Sequence, residues 1–374
     1  MPSITGLNIF RAIAVIMMII AHSIRIQSNF TALMRAPHTA SLWDQCLLFF
    51  IHIEPIISAQ FLFISGFSLT LSLFKQSSNL SSAHKRRWLL ALPTKLFLLY
   101  GISVLFFVGD NGLQFPDLFV SSGILSIIAV SMAISGILLT GPKPIFSLTV
   151  ATIVTLLLAY YLEQSKTSII GLNAGAGGAI PLLCMTFIGA IIGIIFQRHG
   201  TRGLFISAAI GCFVGILTMI QSYPWIFTVK SQFQLFPGDP VSSVIHSFQY
   251  ALGLGDVTPT KVRVQFWNHS SIFALRVTGT LTLVLALLVV IFTRYNNRWT
   301  QVLNTIGQHA LLIYVLHLLL LGVLEISGVK PTTGWQTTLL VISLVMIGFG
   351  VILIRNKSGS FRRKLFDSFD PGTQ

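Results

Sequence analysis

Charged residues are scarce in this sequence. Of its 374 residues, 9% are charged and 53% are hydrophobic, and the mean hydropathy is +0.82. Because a soluble domain carries about 25% charged residues, the composition excludes an ordinary soluble protein and indicates an integral membrane protein. A chain of this length, with spans of about 20 residues each, is expected to cross the membrane many times.

Cysteines and acidic residues are also few. The three cysteines, Cys46, Cys184 and Cys212, lie far apart and fit neither a disulfide framework nor a metal site. We expect no metal ion. The 24 basic residues outnumber the 10 acidic ones, giving a net charge of +14. They are scattered between apolar runs, as membrane loops require, so nucleic acid is excluded as a partner.

Long apolar runs are abundant, and a window of about 20 residues gives about ten candidate membrane helices. The first run lacks a basic leader and a small-residue cleavage site, so we predict a retained helix. The second run is too long for one span, and Pro55 predicts a kink or break in it. The ranges are 7–26, 46–74, 88–109, 118–139, 145–162, 178–197, 203–221, 272–293, 305–326 and 335–354. The fold class predicted is all-α: a polytopic integral membrane helical bundle, forming a single membrane-embedded domain over 1–374.

The charged residues between these runs predict an orientation. Cytoplasmic loops carry an excess of Lys and Arg, and a cytoplasmic N-terminus places most basic residues inside and most acids outside. The C-terminus is then cytoplasmic too, with a short basic tail at 355–374. The inner connections hold Lys75, His84, Lys85, Arg86, Arg87, Lys143, Arg198, Arg202, Arg294 and Arg298. The outer connections hold Asp44, Glu54, Asp110, Asp117, Glu163, Asp239 and Asp256.

One outward connection, at 222–271, is unusually long for a compact protein, where loops beyond about 15 residues are uncommon. It contains Tyr223, Trp225, Phe233, Phe236, Tyr250, Phe266 and Trp267. These aromatic residues favour a folded cap over an outward-facing cavity. An interfacial aromatic belt explains them equally well.

The first apolar run contains two ionisable residues, Arg11 and His22, where such residues are costly. Their spacing of eleven residues brings them to one helix face, about 16 Å apart along the axis. Arg25 extends this face outward. We expect a polar stripe with a functional role. The structural alternatives are an arginine that snorkels to the inner interface and a histidine that is satisfied within the bundle.

An arginine, ten residues and a histidine in the first membrane helix resemble the acyltransferase-3 family. The segment "LNIFRAIAVIMMIIAHS" also resembles the heparan-α-glucosaminide N-acetyltransferase family, and both look like branches of one transmembrane acyltransferase superfamily. Three later segments are similar to that superfamily in the same order. They are "AQFLFISGFSLTLSLF", "SSGILSIIAVSMAISGILL" and "IGQHALLIYVLHLLLL".

The resemblance implies transfer of an acyl group, usually acetyl, from a cytoplasmic donor to a sugar hydroxyl or amine on the far side. It implies that His22 is the catalytic histidine and Arg11 its partner in the motif. Histidine titrates near neutral pH, so His22 could serve as the general base. A covalent acyl-histidine intermediate is the alternative.

Further site residues are predicted on the apolar helices. His317 is a second candidate for catalysis, and Tyr314, three residues earlier, shares its face and is a candidate for substrate binding. Both could instead be packing residues. Ser65 could line the donor pathway, although a small residue at a close helix contact explains it as well.

Candidates for ligand binding lie at the ends of the helices. Lys85, Arg86 and Arg87 could pair with the phosphates of acetyl-CoA, the expected donor, and the positive-inside rule explains them without a ligand. At the outer side, Arg25, His52 and Glu54 are candidates for binding the acceptor. We expect a carbohydrate or glycolipid acceptor, a multi-pass protein of the cell membrane, most simply the bacterial inner membrane, and a site reached from both faces.

Two other functions suit the same composition. A transporter or a lipid or glycan flippase would also have about ten helices with few buried charges, although no internal repeat is evident between the halves of the chain. A non-catalytic membrane subunit of a polysaccharide export machine is the third possibility.

Overall fold

The protein is described from a computed structural model. It covers residues 4–35, 41–74, 81–113, 117–120, 122–165, 179–222, 271–295 and 297–367, with the single positions 115, 169 and 172. Within these residues the regular structure is entirely helical. The predicted outward loop at 222–271 lies outside the described residues except for its first and last positions.

Thirteen helices occur in the described ranges, numbered here in chain order. They are α1 Thr5–Arg25, α2 Phe30–Arg35, α3 Leu42–His52, α4 Glu54–Phe74, α5 Ser82–Asn111, α6 Asp117–Val120, α7 Ile124–Thr140, α8 Pro144–Gln164, α9 Leu183–Ser222, α10 Ser271–Arg294, α11 Arg298–Gln308, α12 Ala310–Ile326 and α13 Gly334–Asp367. The last helix therefore continues through most of the segment predicted as a basic tail.

Two breaks in the long apolar runs have a cause in the sequence. The predicted second span is interrupted at Ile53, and Pro55 occupies the first turn of α4, where the missing N–H is not needed. The break predicted from Pro55 is confirmed. A second break divides α9 at Gly200, whose backbone has a positive φ of 60°, a conformation that glycine adopts without steric penalty. The predicted spans 178–197 and 203–221 thus correspond to two helical arms of α9 that meet at Gly200.

Seven of the described helices are long and apolar enough to cross a membrane, or up to eight if α11 and α12 form one broken span with a 76° bend. The sequence predicted about ten. The difference arises because the two arms of α9 are counted as one helix and because α7, although apolar, is shorter than a full span. The polytopic all-α class is confirmed, whereas the cytoplasmic location of both termini stays a prediction.

The helices form two compact units, which we name by their place in the sequence. The central unit contains His52–Arg294, and the terminal unit contains Thr5–Ile51 with Tyr295–Gln374. This division into two units does not test the prediction of a single domain over 1–374.

In the central unit, α9 packs against α4 and α10. Glycines allow α4 and α9 to approach closely: a Cβ at Gly66 would overlap the carbonyl of Thr186, and one at Gly189 would overlap the carbonyl of Phe63. Small residues play this role in membrane bundles, where close van der Waals packing replaces the hydrophobic effect.

In the terminal unit, α1 packs against α11, α12 and α13. At its C-terminal end, Ala21 and Ile24 form a buried cluster with Leu33, Leu47 and Ile51 of α2 and α3. The two ends of the sequence therefore form one core around α1, and this core holds the first-helix motif.

Candidate active site

The histidine of the first helix lies against a histidine of α12. His22 Nδ1 is 3.0 Å from His317 Nε2, and the two ring planes are nearly parallel, at 17°, with centroids 5.3 Å apart. His317 is only 1% exposed. Two residues that the sequence marked separately, 295 positions apart, are thus brought into direct hydrogen-bond contact.

Tyr314 lies on the same face of α12, as its spacing from His317 predicts. Its ring meets the His317 ring edge-on, with centroids 5.3 Å apart at 74°, and it is buried. Ile313 and Leu321 continue this buried stripe along α12, whereas Leu311 and Leu319 on the other faces are exposed. The pattern explains the placement of His317, since the buried stripe is the one that packs against the rest of the unit.

The hydrogen bonds assign the protons of the two imidazoles. His317 Nδ1 is 3.2 Å from the carbonyl oxygen of Ile313, and because a carbonyl only accepts, Nδ1 must donate. In neutral His317 the other nitrogen, Nε2, then carries the lone pair and accepts from His22 Nδ1–H. Neutral His22 consequently has its basic lone pair on Nε2.

Arg11 belongs to a separate polar cluster nearer the start of α1. Arg11 Nη1 donates to Asn8 Oδ1 (3.0 Å), and Asn8 Nδ2 donates to Asn304 Oδ1 on α11 (2.9 Å). Three residues beyond Asn304, Gly307 faces the same way, and a Cβ there would overlap the backbone carbonyl of Asn8. The backbones of α1 and α11 are therefore in close contact at the cluster.

The two clusters are separated along α1. The helix is continuous from Thr5 to Arg25, so the eleven residues from Arg11 to His22 correspond to a rise of about 16 Å. Val15 and Met18, the residues between them on this face, are apolar and buried. Arg11 therefore does not reach His22, and the face carries two polar sites rather than a continuous stripe.

The basic residues predicted to bind the donor lie at the start of α5, in the central unit. Ser81 caps this helix by accepting from the backbone N–H of His84, and the His84 ring lies 3.3 Å from the carbonyl of Leu73 at the end of α4. Trp88 donates to Ser72 Oγ nearby. Of the three predicted residues, Lys85 is half-buried and Arg86 and Arg87 are exposed.

The remaining candidates have varied surroundings. Ser65, half-buried on α4, donates its hydroxyl to the carbonyl of Leu62 (2.7 Å) in its own helix. Glu54 is buried in the first turn of α4, and Arg25 is exposed at the end of α1. The side chain of His52 lies outside the described residues. These residues stay predictions for ligand binding.

Sequence reasoning did not find Asn8, Asn304 or Gly307. Asn8 lies three residues before Arg11, and Asn304 lies just before the apolar run of α12. The sequence could have identified both as amides beside membrane segments, but no sequence pattern indicates that they contact each other. Among the described residues, no group of three or more His, Cys, Asp or Glu side chains is placed to hold a metal ion.

Comparison with known proteins extends this picture. The sequence profile of the heparan-alpha-glucosaminide N-acetyltransferase catalytic family matches residues 4–221, more than half of the chain. The chain belongs to this acetyltransferase family. The match includes α1 with His22, whereas His317 on α12 lies beyond it. A search of curated proteins found no match. The resemblance stated from the sequence is confirmed, and the chain is a membrane protein of acetyltransferase type.

Proposed function

We propose that this protein transfers an acetyl group from cytoplasmic acetyl-CoA to a hydroxyl or amine of a cell-envelope or exported carbohydrate, with His22 as the general base. The observation that carries the proposal is the contact between His22 and the buried His317. In this contact Nδ1 of His22 donates a hydrogen bond to His317, which orients the His22 ring and makes Nε2 its basic nitrogen. Membership of the acetyltransferase family supports the acetyl donor.

In the direct reaction, Nε2 of His22 removes the proton of the acceptor as its oxygen or nitrogen attacks the thioester carbonyl. The C–S bond breaks, and the coenzyme A thiolate takes the proton from the imidazolium. A positioned base of this kind contributes typically 10²–10⁴-fold to the rate. In the covalent alternative, Nε2 attacks the thioester itself, and the acetyl-imidazole then passes the acetyl group to the acceptor.

The ligand-binding roles follow the predicted orientation of the membrane helices. Lys85, Arg86 and Arg87 are proposed to bind the donor phosphates, Arg as a bidentate fork. Arg25, Tyr314, His52 and Glu54 are proposed for the acceptor. The proposed location is a bacterial inner membrane, with donor and acceptor arriving from opposite faces.

The first prediction concerns His22 itself. His22→Ala should abolish transfer of labelled acetyl from acetyl-CoA to glucosamine, which offers both an amine and hydroxyls, because the base or nucleophile is lost. Labelled product from purified protein in lipid vesicles would be counted. His199→Ala, at an exposed histidine of α9, is the matched control and should keep full activity.

Undiminished transfer by the His22→Ala protein would reject His22 as the catalyst.

The covalent route is tested without an acceptor, by exchange of labelled coenzyme A into acetyl-CoA, since exchange requires an acetyl-enzyme. Mass spectrometry would then place the acetyl group among the nine histidines of the chain. Label on a histidine other than His22 would reassign the nucleophile.

One observation favours a transporter as the second candidate. The helix pair α11 and α12 is bent by 76°, and broken helices are typical of transporter binding sites. Uptake of labelled glucosamine into vesicles that lack coenzyme A would favour the carrier. Exchange between acetyl-CoA and coenzyme A by the same protein would favour the enzyme.

A further inference from the structure

We propose that His317 is a positioning residue that fixes the tautomer and the ring orientation of His22. This inference rests on the proposed function, in which His22 is the base, and it gives His317 a role distinct from catalysis. His317 acts through its hydrogen bond to His22 rather than on the substrate.

The backbone of α12 fixes the position of the proton on His317. Its Nδ1 lies 3.2 Å from the carbonyl of Ile313, four residues earlier in α12. The oxygen cannot donate, so the N–H is on the histidine. A backbone carbonyl within a helix does not rotate, and it therefore holds both the tautomer and the direction of the ring.

The tautomer of His317 determines the tautomer of His22. With Nδ1 protonated, neutral His317 presents the lone pair of Nε2, at 3.0 Å from His22 Nδ1. Only the Nδ1–H tautomer of His22 can donate to it. A doubly protonated pair would place two N–H groups against each other, so this contact requires at least one neutral ring.

Packing and hydrogen bonds hold His317 in one orientation. His317 is 1% exposed, and the ring of Tyr314 meets it edge-on at 5.3 Å. The ring centroids of the two histidines are 5.3 Å apart while the two nitrogens are 3.0 Å apart, and the planes differ by 17°. The rings therefore meet edge to edge, with the donor and the acceptor near the ring planes, where the N–H bond and the lone pair point. A group held in one geometry by packing and by a second hydrogen bond is suited to orienting a catalytic base.

The family profile ends at residue 221, so the partner of His22 comes from a part of the chain outside the matched segment. The same arrangement, a base whose other ring nitrogen is held by a third group, occurs in the Ser-His-Asp triad, where loss of the correct tautomer reduces kcat about 10⁴-fold. We expect a loss of about 10²–10⁴-fold in kcat when His317 no longer accepts from His22.

The test uses three substitutions at position 317. His317→Leu removes the acceptor, and His317→Asn has an amide too short to reach the position of Nε2. His317→Gln can place Oε1 there and accept from Nδ1–H. Transfer of labelled acetyl should show kcat reduced about 10²–10⁴-fold for Leu and Asn, with KM for acetyl-CoA within about twofold of wild type, and substantial rescue by Gln.

A measurement independent of activity separates this inference from the proposed function. In protein labelled with ¹⁵N-histidine, the His22 signals, identified by their loss in His22→Gln, should report protonated Nδ1 and unprotonated Nε2. In His317→Leu they should shift towards the Nε2–H tautomer. This result would support the positioning role even if no acetyl transfer were found.

Three outcomes would overturn the proposal. One is a wild-type His22 protonated on Nε2. Another is a His317→Leu protein with unchanged kcat and unchanged His22 signals. The third is a folded His317→Gln protein, with the same thermal unfolding as wild type, that is as inactive as His317→Leu.

Discussion

Asn8 and Asn304 form an amide pair between α1 and α11, at a distance of 2.9 Å. Asn8 is 5% exposed, and its oxygen also accepts from Arg11. An amide buried in a membrane protein needs such partners, because no water is available to replace them. We therefore assign the pair a stabilising role, with Arg11 held by Asn8 rather than by His22.

Replacing Asn304 with Leu should lower the free energy of unfolding because Asn8 Nδ2 loses its acceptor. The expected change is roughly 1 kcal/mol, since polar pairs in membrane bundles contribute about 0.6–1.7 kcal/mol. Thermal unfolding in detergent would measure the change. Gln301→Leu, at an exposed position of α11, should change stability by less than about 0.5 kcal/mol. Equal effects of both substitutions would contradict the role of the pair.

The sequence singled out individual side chains of the candidate site but not the contacts between them. His22, His317 and Tyr314 stand out because polar residues within apolar runs are few. Their pairing could not be predicted, since it depends on the depth and rotation at which α12 packs against α1. Asn8 and Asn304 were missed because an amide near a helix end is ordinarily an interfacial residue.

Helix packing in the central unit depends on two glycines, Gly66 on α4 and Gly189 on α9. Each lies against a backbone carbonyl of the other helix, so neither carbonyl can move aside as a flexible side chain could. A methyl group at either position would push the two helices apart.

Gly189→Ala is accordingly expected to destabilise the protein by about 1–3 kcal/mol, as overpacking does in a tight core. Gly101→Ala in α5 is the matched control, because nothing lies within 4 Å of a Cβ built there. It should be neutral or stabilise by up to about 1 kcal/mol through helix propensity. Unfolding temperatures of the two purified variants would reveal the difference, and a stable Gly189→Ala protein would disprove the close contact.

Helix boundaries were predictable where a residue type dictates them. Pro55 predicted the interruption before α4, and the gap between the spans 178–197 and 203–221 contains Gly200. The bend between α11 and α12 was not predicted, because the segment 305–326 reads as one apolar run. Hydropathy detects how apolar a segment is but not where its axis turns.

For the molecule as a whole, the orientation in the membrane remains a prediction from charge. Cys46 offers a direct test, since it is exposed on α3 and is predicted to lie outside. Cys184 is buried and Cys212 is half-buried in the second arm of α9.

A maleimide that cannot cross the membrane should label intact cells expressing the protein, and Cys46→Ser should remove most of that label. The reason is that the positive-inside rule places α3 on the outer side. Labelling only in inverted membrane vesicles would show that the predicted orientation is wrong. The donor and the acceptor would then be assigned to the opposite sides of the membrane.

The hydrogen bond between His22 and His317 joins residues 295 positions apart. During synthesis, α1 enters the bilayer long before α12 leaves the ribosome, so a nascent chain carries the first histidine without its companion. If the pairing controls reactivity, the half-made protein would consume thioesters about 10²–10⁴-fold more slowly than the finished one. Full activity would begin only after α12 has been inserted.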